Sequence, residues 1–302
     1  MSASRPAPPG ALAELLPDVA ALVARLDAVG YLADEGLATA MLLALRLPQP
    51  LLLEGEAGVG KTEAARALAA ALDTPLIRLQ CYEGLDSAEA LYEWNYPRQL
   101  LRIRLAEADG AALTEADLFA RDLLLPRPVL QAIEHPGPLP AVLLIDELDR
   151  ADHDFEAFLL ELLADAAVTI PEIGTVRAAV PPAVVLTSNR TRDLHDALKR
   201  RCLYHWLDYP APEREIEIVR RRVPDAPAAL AREVVAALGR LRAADVQKPP
   251  GIAEAIDWLR ALEVLGVIEL DAEALERTLG SVLKYGEDQD LVRSLGLETL
   301  VS

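Results

Sequence analysis

Apolar positions along the chain fall into three regimes. Over residues 11–47 they recur near every 3.6 positions, which predicts two helices broken around Val29, Gly30 and Tyr31. From there to about residue 209, short uninterrupted apolar runs alternate with helical patterns. PLLLEG precedes a helix over 61–72, PLIRLQC follows it, AVLLIDE precedes a helix over 155–165, and AVVLTSN and CLYHWLDYP complete the series. Strands that are apolar on both faces and separated by helices predict an α/β fold, a parallel sheet sandwiched by helices, because each crossover lays a helix on one face. Beyond Pro210 the period is helical only, over 212–223, 227–243, 251–265, 271–285 and 288–300, with breaks at Asp225–Pro227 and at KPPG, 248–251. The pattern divides the chain into a Pro-, Ser- and Ala-rich start, residues 1–10, expected to be disordered; an α/β domain with N-terminal helices, 11–209; and an all-α domain, 210–302.

Charge narrows the range of partners. The 302 residues carry 48 acidic against 30 basic side chains, a net charge of −18, which opposes a general attraction to nucleic acid or to anionic membrane surfaces. Cys81 and Cys202 stand far apart without C-x-x-C spacing, as in a reduced compartment, and no disulfide or metal framework is visible. Glu14 and Asp18 interrupt the N-terminal apolar stretch, so no signal peptide is read there. The longest apolar run near the N-terminus, 37–45, falls short of the roughly 20 residues that a spanning helix needs. A cytoplasmic protein without stable membrane insertion is expected.

The chemistry begins at Gly55-Glu56-Ala57-Gly58-Val59-Gly60-Lys61-Thr62, which satisfies G-x-x-x-x-G-K-[ST] between a predicted strand and a predicted helix. Its glycines let backbone N–H groups curl around phosphates and the helix N-terminus adds positive potential. Lys61 reaches the β- and γ-oxygens, and Thr62 ligates Mg2+. Glu63, next in the helix, is counted with the nucleotide contacts. With 16 glycines and only four lysines in the chain, a chance match has a probability on the order of 1 in 1000, so the loop is read as an ATP site rather than as a turn before an ordinary helix.

The strand AVLLIDE ends in Asp146 and Glu147. Parallel strands deliver their C-terminal ends to the crevice that holds the phosphate loop. There Asp146 holds Mg2+ and Glu147 polarises the attacking water. Both residue types also cap helices well; beside a phosphate loop the hydrolytic reading prevails. AVVLTSN ends in Asn189, an ordinary turn residue in isolation, here placed to orient the water or touch the γ-phosphate. Lys199, Arg200 and Arg201 close a short helix before the last strand, where cations suit the helix dipole. The functional alternative is an arginine finger offered across a subunit interface, with Arg200 and Arg201 both open.

These motifs together resemble an AAA+ ATPase. More narrowly, DELDRADHDFEAFLLELLAD (146–165) resembles the D-E-x-x-R-A block of the MoxR branch, and the stretch from GYLADEGL (30–37) to KPPGIAEAIDWLRAL (248–262) is similar to its CoxD-like members. The resemblance matches Gly55, Gly58, Gly60, Lys61 and Thr62 to the Walker A element, Asp146 and Glu147 to Walker B, Asn189 to sensor 1, and Arg150 to the family's "RA" arginine. It implies a ring, six subunits by expectation, with the helical domain as a lid. It further implies a chaperone in metalloenzyme maturation with a von Willebrand factor A-domain partner. The implied client is a molybdenum-copper carbon monoxide dehydrogenase or a related molybdenum hydroxylase. One departure stands out: where many lids carry a sensor 2 arginine, KPPGIAEAIDW offers Glu254, and Lys248 and Arg260 remain alternatives.

Two segments are candidates for touching a client. Residues 81–104, expected as a pore-facing loop, hold Tyr82, Tyr92, Trp94 and Tyr96, aromatics that either grip a polypeptide or pack in a core. Residues 168–178 read as a hairpin turning near Gly174. An AAA+ nucleic-acid machine, clamp loader or helicase, is the alternative function, and the net charge weighs against it. A small-molecule kinase has no use for the D-E pair, the paired arginines and the lid. A GTPase lacks its guanine-reading N-K-x-D: neither of the two asparagines, Asn95 and Asn189, fits.

Overall fold

The computed structural model describes residues 10–301, in two compact units. One comprises the chain up to Val29, Ala33–Glu54 and Thr62–Trp206; the other comprises Gly30–Leu32, Gly55–Lys61 and Leu207 onward. The strands are β1 (Leu51–Gly55), β2 (Leu76–Gln80), β3 (Tyr92–Trp94), β4 (Leu124–Pro126), β5 (Val142–Asp146), β6 (Ala167–Ile170), β7 (Gly174–Arg177), β8 (Ala183–Ser188) and β9 (Leu203–Leu207).

The five apolar runs of the sequence become one parallel sheet in the order β2-β5-β8-β1-β9. Inner strands β1 and β5 are buried along their whole length, which explains why their sequences show no polar alternation. Register carries the functional consequence. Gln80 pairs with Asp146, Ile145 with Leu186, and Glu54 with Ser188, so the carboxyl ends of four strands finish nearly level. Leu143, Ile145, Leu148, Phe155, Leu159, Leu186 and Leu198 lie in the core that fixes this edge. Each buried side chain of this size contributes about 1.5–3 kcal/mol.

Three helices, not two, open the chain: Gly10–Leu15, Val19–Ala28 and Glu35–Arg46. The extra break falls at Pro17-Asp18. The residue before a proline avoids helical backbone, and the Asp18 carboxylate accepts the Ala21 N–H at 2.8 Å, capping the second helix. Of the start expected to be disordered, residues 1–9 lie outside the described residues and Gly10 opens a helix. Residues 87–104 are not a loop. They form a helix, Ser87–Leu91, then β3 paired antiparallel with β4, then a helix, Tyr96–Asp109, capped by Asn95. The aromatics part company there: Trp94 is buried edge-on between Tyr92 and Phe119, while Tyr82 and Tyr96 are exposed. Residues 167–177 form the hairpin β6–β7, with Gly174 at φ +100° opening β7.

The second unit carries the helices Pro212–Arg222, Ala228–Ala243, Ile252–Val264, Ala272–Val282, Gly286–Leu295 and Glu298–Val301. The stretch expected as one helix over 288–300 is divided at Gly296, whose φ of +87° leaves the helical region. Trp258 fills the centre of this unit, fully buried, with its indole N–H donated to the Thr278 hydroxyl at 2.7 Å. Buried Glu215 takes the Arg242 guanidinium in a two-pronged contact at 2.8 and 2.6 Å. Among the described residues no helix is long and apolar enough to cross a membrane.

Candidate active site

The sheet edge gathers the acidic residues. Asp146, 2% exposed, ends β5. One of its oxygens accepts the Thr187 hydroxyl at 2.6 Å and the Thr62 hydroxyl lies 3.0 Å away; the other accepts both Nε and a terminal nitrogen of Arg78, at 2.9 and 2.6 Å. Thr187 comes from β8 and Arg78 from β2, the two strands flanking β5. The carboxylate is therefore satisfied from both sides, as a buried charge must be.

Glu147 follows in left-handed backbone, φ 55° and ψ 50°, a conformation that costs a non-glycine residue about 1–2 kcal/mol. The N–H of Glu147 donates to the same Thr187 hydroxyl at 2.9 Å, which holds that turn in place. The turn aims its side chain away from the core, where one carboxylate oxygen meets Gln80 Nε2 at 3.0 Å and Arg150 Nε at 2.9 Å. Asn189 lies just past β8. The N–H of Asn189 donates to the Asp149 carboxylate at 3.2 Å, and Thr191 donates to it through both backbone and hydroxyl. Burial pushes the Asp149 carboxyl upward, but these hydrogen bonds outweigh it and its pKa ends below the ordinary value. Cys81, after β2, records the local field. Burial, and then the negative charges of Asp146, Asp149 and Glu147, push its thiol up to about 12.

Within the second unit, Gly55–Lys61 forms the glycine loop. Lys61 Nζ turns inward and donates to the Gly55 and Glu56 carbonyls at 2.8 and 2.6 Å. A Cβ on Gly55 would meet the Leu207 carbonyl oxygen at 2.2 Å, so only glycine passes there. Gly58, at φ +77°, accepts the Ile252 N–H on its carbonyl at 3.0 Å. A Cβ on Gly251 would lie 2.7 Å from the Gly58 backbone. The KPPG break supplies this approach. The Gln247 and Lys248 N–H groups are held by the Asp288 carboxylate, the Pro250 carbonyl by Arg242, and the Gly251 N–H by Glu254 at 2.9 Å. Glu254 is thus the cap of the helix Ile252–Val264, and Arg260 pairs with Asp257 instead. Of the remaining loop residues, Glu56 is exposed, Ala57 and Gly60 are half-buried and Val59 is buried; Thr62 and Glu63 follow directly in the helix Lys61–Leu72.

The two arginines differ. Arg201 donates to the Leu160 carbonyl at 2.5 Å, whereas Arg200 is exposed and its guanidinium has no partner among the described residues. The sequence reading missed Arg78, Gln80, Asp149 and Thr187. The second aspartate of DELD was the available signal for Asp149; the others act through strand neighbours that no spacing reveals.

The donors present fit a nucleotide with Mg2+. Gly58 and Gly60 adopt positive φ as a phosphate-cradling loop requires, and Lys61 places an ammonium inside it. Thr62 and Asp146 present hard oxygen donors side by side. Mg2+ is an ion bound through one or two carboxylates together with substrate phosphates, and among the described residues no group of three or more His, Cys, Asp or Glu side chains could hold a metal by itself.

The chain is 27% identical over 179 residues to protein NorQ of Paracoccus denitrificans, an alignment that covers 57% of this chain and spans 57% of the relative's length. Among solved structures it is similar to the Thermotoga maritima RuvB Holliday junction branch migration motor, with 18% identity and a TM-score of 0.43 over 81% of this chain and 65% of that one. It is also similar to a putative ATPase from Cytophaga hutchinsonii, with 16% identity and a TM-score of 0.47 over 96% and 94%. The AAA domain of the dynein-related subfamily matches residues 50–202, from the residue before β1 to the residue before β9. On that match, which covers half of its length, the chain belongs to the AAA domain family, dynein-related subfamily.

Proposed function

We propose that this chain couples Mg2+-dependent ATP hydrolysis to the remodelling of a client protein, as a subunit of a ring. The observation that carries the hydrolytic part is the hydroxyl–carboxylate pair Thr62–Asp146 beside an outward-aimed Glu147. In this reading the loop N–H groups and Lys61 bind the phosphates. Thr62 and Asp146 hold Mg2+, which supplies charge neutralisation on the phosphate oxygens. Glu147 accepts the proton of the attacking water and Asn189 orients that water. The guanidinium of Arg200, without a partner among the described residues, against the tethered one of Arg201, favours Arg200 as the finger offered to a neighbouring subunit.

The MoxR-type D-E-x-x-R-A block supports a chaperone role, and the wider CoxD-like resemblance supports maturation of a molybdenum hydroxylase with a von Willebrand factor A-domain partner in the cytoplasm. The net charge of −18 favours this over a nucleic-acid machine. The test is a mixing experiment. Lys61→Ala subunits, unable to bind nucleotide, are titrated into Arg200→Ala or Arg201→Ala subunits. Arg200→Ala subunits, inactive alone, should regain hydrolysis as Lys61→Ala subunits supply the finger in trans, Arg201→Ala subunits should hydrolyse alone and gain nothing, and equal behaviour of every mixture would remove the ring-finger reading.

A further inference from the structure

We propose that Arg78 is a resident counter-cation of Asp146 that Mg2+ must displace, so that this chain sets its own threshold for the metal. The inference rests on Asp146 being the metal-holding carboxylate. Arg78 leans from the middle of β2 across to the end of β5 and places two nitrogens, at 2.9 and 2.6 Å, on one oxygen of Asp146. That oxygen lies 3.2 Å from the Thr62 hydroxyl, so the guanidinium stands against the donor pair that a hard cation needs. Arg78 brings charge rather than packing to this contact. Asp146 is already anchored by Thr187 through its other oxygen, and Arg78, 43% exposed, fills no space in the core.

Arg78 also has somewhere to go. Its terminal nitrogen bonds the Gln80 side-chain carbonyl two residues along the same strand face, and Gln80 is oriented by Glu147. The guanidinium can leave Asp146 while remaining hydrogen-bonded to Gln80, in contact with solvent. With Arg78 in place Asp146 keeps a counter-charge in the absence of metal, which spares a buried carboxylate the cost of standing unpaired. When Mg2+ arrives with its nucleotide, one positive charge has to yield to two, and repulsion over this distance is worth about a factor of ten in metal affinity.

The experiment measures binding. Magnesium is titrated at fixed ADP by calorimetry, and Mn2+ occupancy in the presence of ADP is read by electron paramagnetic resonance. The proteins are wild type, Arg78→Gln, Arg78→Met, Arg78→Lys and Asp146→Asn, each checked for folding by its thermal midpoint. Removal of the charge should lower the half-saturating Mg2+ or Mn2+ concentration about tenfold in Arg78→Gln and Arg78→Met, with Arg78→Lys close to wild type and Asp146→Asn weaker. The methionine variant keeps the aliphatic bulk should the glutamine variant fail to fold. If wild type shows metal dependence that Asp146→Asn weakens, and neither neutral variant tightens it, the counter-cation idea is overturned while the site stands. If ADP binds wild type equally with and without Mg2+, the metal site itself fails and takes the inference with it.

Discussion

Asp146 and Glu147 are adjacent in sequence, yet they inhabit opposite regimes. Asp146 completes a buried strand and is held by strands on both sides. Glu147 begins a left-handed turn and its carboxylate is held, among the described residues, by Gln80 and Arg150, side chains that are themselves exposed to solvent. The first arrangement suits a ligand that must not move; the second suits a base that must change partners within one turnover. A single residue step across the end of β5 converts one environment into the other, and Thr187 joins them by donating to Asp146 and accepting from the Glu147 N–H.

Three changes probe that division, in decreasing order of effect. Glu147→Gln keeps the shape and removes the proposed base; steady-state phosphate release should fall about 10²–10⁴-fold, while ADP affinity stays within about twofold of wild type. A variant with undiminished turnover would place the base elsewhere. Thr187→Val deletes the shared hydroxyl and leaves a buried carboxylate oxygen and an N–H short of partners. The unfolding free energy should drop by about 1–3 kcal/mol in urea titration, together with a loss of turnover, since both neighbourhoods lose their common anchor.

The smallest effect is a pH signature on the Asp146 side. The Cys81 thiol is raised in the folded chain from 9.0 to about 12, so the unfolded chain loses its proton first. The associated stability is complete below pH 9 and declines between 9 and about 12. Cys81→Ser should flatten that alkaline decline in a pH series of denaturation curves. At pH 8 iodoacetamide should modify Cys202 in preference to buried Cys81.

Much of this site was legible before any fold was known, and for a physical reason. The glycine loop needs its residues consecutive, and a buried parallel strand needs an unbroken apolar run, so Gly55–Thr62 and the end of β5 announce themselves locally. Arg78 was not legible because its role depends on β2 lying beside β5, an ordering that apolar periodicity does not encode. Glu254 stood in the sequence as the wrong charge for a lid sensor; its actual work, capping a helix at the Gly251 N–H, depends on a backbone approach visible only in three dimensions. The aromatics of 81–104 divided between core and surface because Tyr92 and Trp94 share one face of the short strand β3, whereas Tyr82 and Tyr96 lie outside it.

The meeting of Gly58 and Gly251 makes one amide informative about the whole loop. The N–H of Ile252 is donated to the Gly58 carbonyl, and across a trans peptide the N–H of Val59 points opposite to that carbonyl. Rotating the Val59 amide away from its present direction breaks the Ile252 hydrogen bond at the same moment. Deuterium uptake at Ile252 therefore clocks each opening of the phosphate loop, an internal stopwatch that needs no bound ligand to run.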